Sequence, residues 1–201
     1  MPRRYAFVPP SRGDPWTLSR TMNGNVGRVR GINELELLVH SGLSVERDRG
    51  VRHPLLAEAV PSLENGLWKV SPDGRMETTW RIRDGAAWHD GVPLTVDDLV
   101  FSVQVGRDRE TVSFRDKGFD AVDTVRAVDA RTVTVTWSQP YIEADTLFGN
   151  QSTFALPLPR HILEKPFTED KAQRPRRRSL EFASVGSGGQ LGWGAGGDQR
   201  G

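Results

Sequence analysis

Ser71-Pro72-Asp73-Gly74-Arg75-Met76-Glu77-Thr78-Thr79-Trp80-Arg81-Ile82-Arg83-Asp84-Gly85 runs directly into Ala86-Ala87-Trp88-His89-Asp90-Gly91-Val92-Pro93-Leu94-Thr95-Val96-Asp97-Asp98-Leu99-Val100-Phe101-Ser102. The first four residues spell a turn, with Pro72 setting φ and Gly74 free to take φ > 0. Met76, Thr78, Trp80 and Ile82 then alternate with Glu77, Thr79, Arg81 and Arg83. Period two with β-branched and aromatic members predicts a strand with one face inward and one wet. Asp84-Gly85 and Asp90-Gly91 are further turns. Thr95-Val96-Asp97-Asp98 opens a helix: Thr95 suits the N-cap, and two acids meet the positive end of the helix dipole. Asp98 stands where Glu or Gln completes a capping box. Val96, Leu99, Val100 and Val103 form the expected buried stripe.

Downstream, Val122–Val128 reads as a strand, and Val133, Val135 and Trp137 alternate with threonines after an Asp129-Ala130-Arg131 turn. Pro140 ends that strand because it cannot donate to a ladder. Leu156-Pro157-Leu158-Pro159 is an extended entry to a short helix over Arg160–Lys165. Upstream, Tyr5–Val8 is a short strand and Ser11–Pro15 a loop. Val29, Ile32, Leu35, Leu38 and Val39 predict an amphipathic helix over about 26–41, with Glu34 and Glu36 on its outer side. Pro54–Ala59 is compatible with a compact helix among short strands and turns.

Charge is divided along the chain. Residues 1–170 carry 21 Lys+Arg against 24 Asp+Glu, whereas residues 171–201 carry 6 against 2. The mildly acidic body offers no electrostatic footprint for nucleic acid. There is no cysteine, which excludes disulfides, thiolate metal sites, a cysteine nucleophile and an N-terminal lipid acceptor. The apolar stretch after Met1-Pro2-Arg3-Arg4 stops at Pro9, too short for a signal peptide, so no export signal is expected. No apolar run approaches the ~20 residues of a membrane span. Arg174–Arg178 and the 8 glycines of residues 183–201 predict a disordered tail from about residue 171, or a shifted reading frame there.

The Ser71–Ser102 stretch closely resembles solute-binding protein family 5, the peptide- and nickel-binding proteins of ABC importers. Turn, strand, aromatic, His-Asp-Gly, Pro and an acid-capped helix stand in the family's order and spacing. Leu55–Val60, Arg131–Trp137 and Leu156–Glu164 are similar to its flanking pieces, the last to its proline-histidine hinge helix, so the resemblance covers about residues 5–170. Two features depart from it. Leu18-Ser19-Arg20 replaces the usual Leu-Asp-Pro, and Val185-Gly186-Ser187-Gly188 only echoes the strand that follows the hinge helix.

The resemblance implies an α+β architecture, part of a type II periplasmic-binding-protein fold. Residues 1–170 would supply an N-terminal lobe portion plus a small β-rich domain around 45–140, and 171–201 the Arg/Gly-rich tail. It implies capture of peptides or similar solutes for ABC permease subunits, by an incomplete copy. It also implies a periplasmic or cell-surface setting, contact with the membrane only through the transporter, and no catalysis; no cofactor is expected, and no metal site is read from the residues. By position, Asn23, Gly24 and Asn25 would approach the ligand backbone; read by themselves they make a turn.

Other chemistries fit less well. His89-Asp90 has the composition of a metal or acid–base pair, but His40, His53 and His161 are scattered and no HExxH spacing occurs, so His89 reads as a turn residue. Gly192–Gly197 matches GxGxxG without the strand, helix and acid a dinucleotide site needs. Trp80 and Trp137 sit on inward strand faces and read as core rather than as a stacking platform. The alternative function is a non-transport β-rich binding module whose basic tail contacts nucleic acid or anionic surfaces.

Overall fold

The computed structural model describes residues 36, 39–47, 50–108, 117–150 and 156–169. In chain order these form β1 (Ser44–Arg47), β2 (Val51–Pro54), β3 (Trp68–Val70), β4 (Met76–Arg81), α1 (Val96–Arg107), α2 (Lys117–Ala121), β5 (Val122–Ala127), β6 (Thr132–Trp137), a 3₁₀ turn (Ala144–Thr146) and α3 (Arg160–Glu169). The expected strand at Tyr5–Val8, most of the 26–41 helix, Asn23, Gly24, Asn25 and the tail lie outside the described residues.

The alternation at Met76–Ile82 is realised in β4. Met76, Thr78, Trp80 and Ile82 are buried, and Glu77 and Arg81 are exposed. β4 is central in an antiparallel sheet of order β3-β4-β6-β5. Register pairs Met76 with Trp137, Thr78 with Val135 and Trp80 with Val133, so two inward faces merge into one core. Thr78, a hydroxyl on an apolar face, is satisfied there by Trp137, whose Nε1–H donates to Thr78 Oγ1 at 3.0 Å. The hairpin before β4 closes as the turn residues require. Gly74 takes φ +83° and its N–H reaches Ser71 O at 2.9 Å.

The helix expected at Pro54–Ala59 is not formed. Leu55 and Ala57 donate to Leu43 O, and Glu58 donates to Arg81 O. Arg83 donates back to Leu56 O, and Ala57 bridges Ile82. Backbone groups drawn to chain neighbours on both sides cannot close the i→i−4 bonds of a helix. Glu36 is a second correction. Expected outside, it is buried at 8% exposure, whereas Val39 of the expected apolar stripe is 37% exposed. This helix end docks through its backbone, with Val39 O and His40 O accepting from His89 and Asn150, and burial follows that docking.

α1 has two apolar faces rather than one. Val96, Leu99 and Val103 join the sheet core as expected, and Val100 is half-buried against it. Phe101 and Val105 face the other way, into a smaller cluster with Leu158, Leu163 and Phe167. The second cluster explains why α3 runs to Glu169, past the expected end at Lys165 and through Pro166. Proline inside a helix costs about 3 kcal/mol. Burying a phenylalanine contributes about 1.5–3 kcal/mol, and an aromatic pair about 0.5–1.5 more. Phe167 meets Phe101 edge-to-face at 5.6 Å and 86°, which offsets the break. Among the described residues no helix is long and apolar enough to cross a membrane.

Gly106 marks where α1 presses on α2. A Cβ there would lie 2.1–2.7 Å from the ring of buried Phe119. Alanine in a helix gains about 1 kcal/mol over glycine, but forcing a buried ring aside costs about 1–3 kcal/mol. Gly106→Ala is therefore expected to destabilise, against its helix propensity. The midpoint of urea unfolding should fall, and an unchanged or higher midpoint would contradict the packing described.

Candidate functional site

Between β4 and α1 the chain makes two tight turns that aim the following helix. Gly91, at φ +86°, donates to Trp88 O, while the Asp90 carboxylate accepts the Val92 N–H at 3.1 Å. Asp98 then completes the expected capping box: its Oδ2 accepts the Thr95 N–H at 2.9 Å. The other oxygen of the same carboxylate accepts the Arg160 N–H at 2.8 Å. Arg160 is the first residue of α3, and its N–H is one of the donors a helix start leaves unpaired. One buried carboxylate thus caps two helices, favoured by both dipoles.

Ser102, one turn further along α1, extends the seam. Its Oγ donates to Asp98 O at 2.6 Å and accepts the Leu158 N–H at 2.8 Å. At the rim, Arg160 reaches Asp97 at 3.0 Å and Glu164 at 2.9 Å. The Glu164 hydrogen bond raises the Arg160 pKa above its ordinary value. Exposed pairs of this kind contribute little stability, so the buried Asp98–Ser102 seam is what holds the 158–160 entry to α1.

A second junction joins β1 to the 148–150 segment. Leu43 donates to Phe148 O, and Asn150 N donates to Ser44 O at 2.7 Å, giving a parallel bridge between Val45 and Asn150. The Asn150 side chain spans the same junction, accepting from Gly42 N and donating to His40 O. A Cβ at Gly42 would fall 2.4 Å from Phe148 O, so only glycine permits this approach. Arg52 lies beside it. Its Nε pairs with Asp145 at 3.3 Å, and burial pushes the Asp145 carboxyl up although Arg52 pulls it down.

Histidines that stand far apart in the sequence converge here. His40 Nε2 meets Pro157 O at 2.8 Å, His89 Nε2 meets Val39 O at 2.7 Å, and His161 Nε2 meets Asp90 Oδ2 at 2.7 Å. Trp88 lies among them, its ring centroid 6.2 Å from that of His40 and 6.4 Å from that of His161. The reading of these histidines as scattered is corrected by the fold for all but His53, which stays on β2. His89 is a turn residue, as expected, and it does not pair with Asp90. Among the described residues no group of three or more His, Cys, Asp or Glu is placed to hold a metal ion.

Asn23, Gly24 and Asn25 are outside the described residues, so the structure neither joins them to these junctions nor separates them. The second role of Asp98 and the role of Ser102 escaped the sequence reading. Their partners, Arg160 and Leu158, lie 62 and 56 residues away, so no local signal pointed to them.

A probable peptide ABC transporter periplasmic-binding protein of Sinorhizobium fredii is 28% identical to this chain over 95 residues, 45% of the chain and 17% of that protein. The fold superposes on the oligopeptide-binding protein of Thermus thermophilus, solved with a pentapeptide. That match has a TM-score of 0.66 and 25% identity, covering 84% of this chain and 28% of the other. It also superposes on AgaA from A. tumefaciens R10, solved with agropinic acid, with a TM-score of 0.60 and 24% identity, over 78% of this chain and 29% of that one, a likeness of fold alone. The chain spans less than a third of each of these proteins. The described part is accordingly an α+β piece of the type II periplasmic-binding-protein fold. Residues 54–188 match the family of bacterial extracellular solute-binding proteins, family 5, and since that stretch is two thirds of the sequence, the chain belongs to this family.

Proposed function

We propose that this chain contributes to solute capture for an ABC importer, with peptides or similar small molecules as the solute. It would work outside the cytoplasm, presenting its ligand to permease subunits, by binding rather than by catalysis. The observation that supports this most is the superposition on the oligopeptide-binding protein, over 84% of the chain at 25% identity. We place residues 1–170 in the N-terminal part of the receptor and take 171–201 as an Arg/Gly-rich tail, although the family match runs on to residue 188. Asn23, Gly24 and Asn25 would offer backbone groups to the peptide main chain.

Each such hydrogen bond contributes only about 0.5–1.5 kcal/mol net, so a few of them hold a peptide weakly. Peptide near its dissociation constant stabilises a protein by about 0.4 kcal/mol, or about 1–2 °C at this size. Titrating a mixture of tri- to pentapeptides into the labelled chain should therefore barely move the melting temperature. NMR should nevertheless show amide shifts centred on Asn23–Asn25. Shifts confined to another region, or none at millimolar peptide, would refute the reading.

A further inference from the structure

Asparagine or aspartate before glycine is a chemically weak point of a chain. The glycine N can attack the side-chain carbonyl carbon, because no Cβ stands in its way. The sequence holds five such pairs: Asn23-Gly24, Asn65-Gly66, Asp73-Gly74, Asp84-Gly85 and Asp90-Gly91. The last four lie among the described residues. Local chemistry ranks Asn65 first of these four, since an amide loses ammonia more readily than a carboxyl loses water. The fold reverses that order. We propose that Asp84-Gly85 is a modification site, where the backbone reroutes through the aspartate side chain. The product is an isoaspartyl link with an exposed α-carboxylate, the acceptor for carboxyl methylation from S-adenosylmethionine.

Three of the pairs are held at both reacting ends. Asn65 Oδ1 accepts from Ser62 N and Leu67 N at 3.0 Å each, its Nδ2 donates to Val60 O at 2.8 Å, and Gly66 N donates to Leu63 O. Asp73 accepts from Arg75 N at 3.2 Å and Arg75 Nε at 2.7 Å, while Gly74 N donates to Ser71 O. Asp90 accepts the Val92 N–H and meets His161, while Gly91 N donates to Trp88 O. Side chains fixed by such short-range bonds cannot swing onto the next amide without breaking them. Asp84 and Gly85 have neither restraint. Among the described residues the Gly85 N–H has no hydrogen-bond partner, and the Asp84 carboxylate accepts from no backbone N–H. Its ion pair with Arg131 at 3.3 Å leaves the Asp84 side chain 96% exposed, and pairs so exposed hold weakly. A Cβ on Gly85 would meet nothing within 4 Å, so the turn has room for ring closure.

In the reaction Gly85 N forms a bond to Asp84 Cγ, and the carboxyl OH leaves with the amide hydrogen as water. Water then opens the resulting succinimide ring at either carbonyl. Attack at Cγ restores aspartate. Attack at the former backbone carbonyl leaves the chain running through Cγ and frees that carbonyl carbon as a carboxylate. Mass is conserved overall. The backbone gains one methylene between Arg83, whose N–H is bonded to Leu56 O, and Ala86, whose carbonyl accepts from Leu94. The inference stands whatever solute the chain takes.

Ageing the whole folded chain in warm neutral buffer, followed by peptide mapping with electron-transfer fragmentation, tests it. Isoaspartate at 84 should exceed that at 65, 73 and 90 severalfold, and an isoaspartyl carboxyl methyltransferase should label the same peptide. In concentrated urea the chemical order should return, with Asn65 converted first. Asp84→Asn gives both sites the same leaving group, so the comparison then reads the fold alone. Position 84 of that folded variant should lose its amide severalfold faster than Asn65, and in urea the two rates should be similar. Equal rates in the folded variant overturn the proposal. So does isoaspartate in the folded parent that forms first at 65, 73 or 90. If the variant does not fold, the parent chain decides by itself.

Discussion

Asp98→Ala is expected to lower the free energy of unfolding by about 3–5 kcal/mol, a large share of the about 5–15 kcal/mol that holds a typical domain together. The carboxylate is buried at 4% exposure and accepts from the backbone of two helices, Thr95 N at 2.9 Å and Arg160 N at 2.8 Å. A hydrogen bond to a charged group contributes about 1.5–3 kcal/mol, and alanine leaves both donors without a partner. Asp98→Asn should fall between alanine and the parent. Its amide keeps one acceptor, but its NH₂ must face one of the two N–H groups. Ser102→Ala removes the Leu158 acceptor and the donor to Asp98 O and should cost about 1–3 kcal/mol, chiefly for the unpaired Leu158 N–H. Urea unfolding followed by far-ultraviolet circular dichroism measures all three. A loss below about 1 kcal/mol for alanine would show that the carboxylate does not join α1 to α3.

Trp80→Ala should cost about 3–5 kcal/mol by another mechanism, the cavity left at the centre of the sheet. Trp80 is fully buried on β4 and pairs across to Val133. Its indole N–H has no acceptor among the described residues, so volume alone is lost, and Trp80→Phe should cost only about 1–2 kcal/mol. Trp137→Phe makes the contrast. It removes the donor to Thr78, whose hydroxyl is buried on an apolar face, and adds about 1–3 kcal/mol for that group. Equal losses for Trp80→Phe and Trp80→Ala would mean that packing volume is not what Trp80 supplies. The same denaturation series reads out each variant.

The parts legible in the sequence are those whose causes lie within a few residues. Gly74 and Gly91 permit their turns, the alternation of β4 and β6 sorts faces, and the Thr95–Asp98 box starts α1. What failed has its cause in distant parts of the chain. Pro54–Ala59 has the composition of a short helix, yet Leu43 and Arg81 supply closer acceptors for its N–H groups. Glu36 was placed outside by periodicity, and a backbone docking at Val39 and His40 overrode it. α3 outlasts Lys165 because Phe167 finds Phe101, a residue on another helix. The candidate ligand residues Asn23, Gly24 and Asn25 fall outside the described residues, so their place still rests on family resemblance.

By itself, then, the order of amino acids determined the hairpin, the capped helix and the family they belong to, because hydrogen-bond reach and side-chain period act over two to four positions. Only the tertiary path decided that one carboxylate serves two helices and that the imidazoles of His40, His89 and His161 reach partners in distant segments. Those partners are separated by 50 to 117 residues, and no local preference carries information over such spans. Should an experimental structure show Asp98 or His40 facing solvent, that long-range account would be lost while the local one survived.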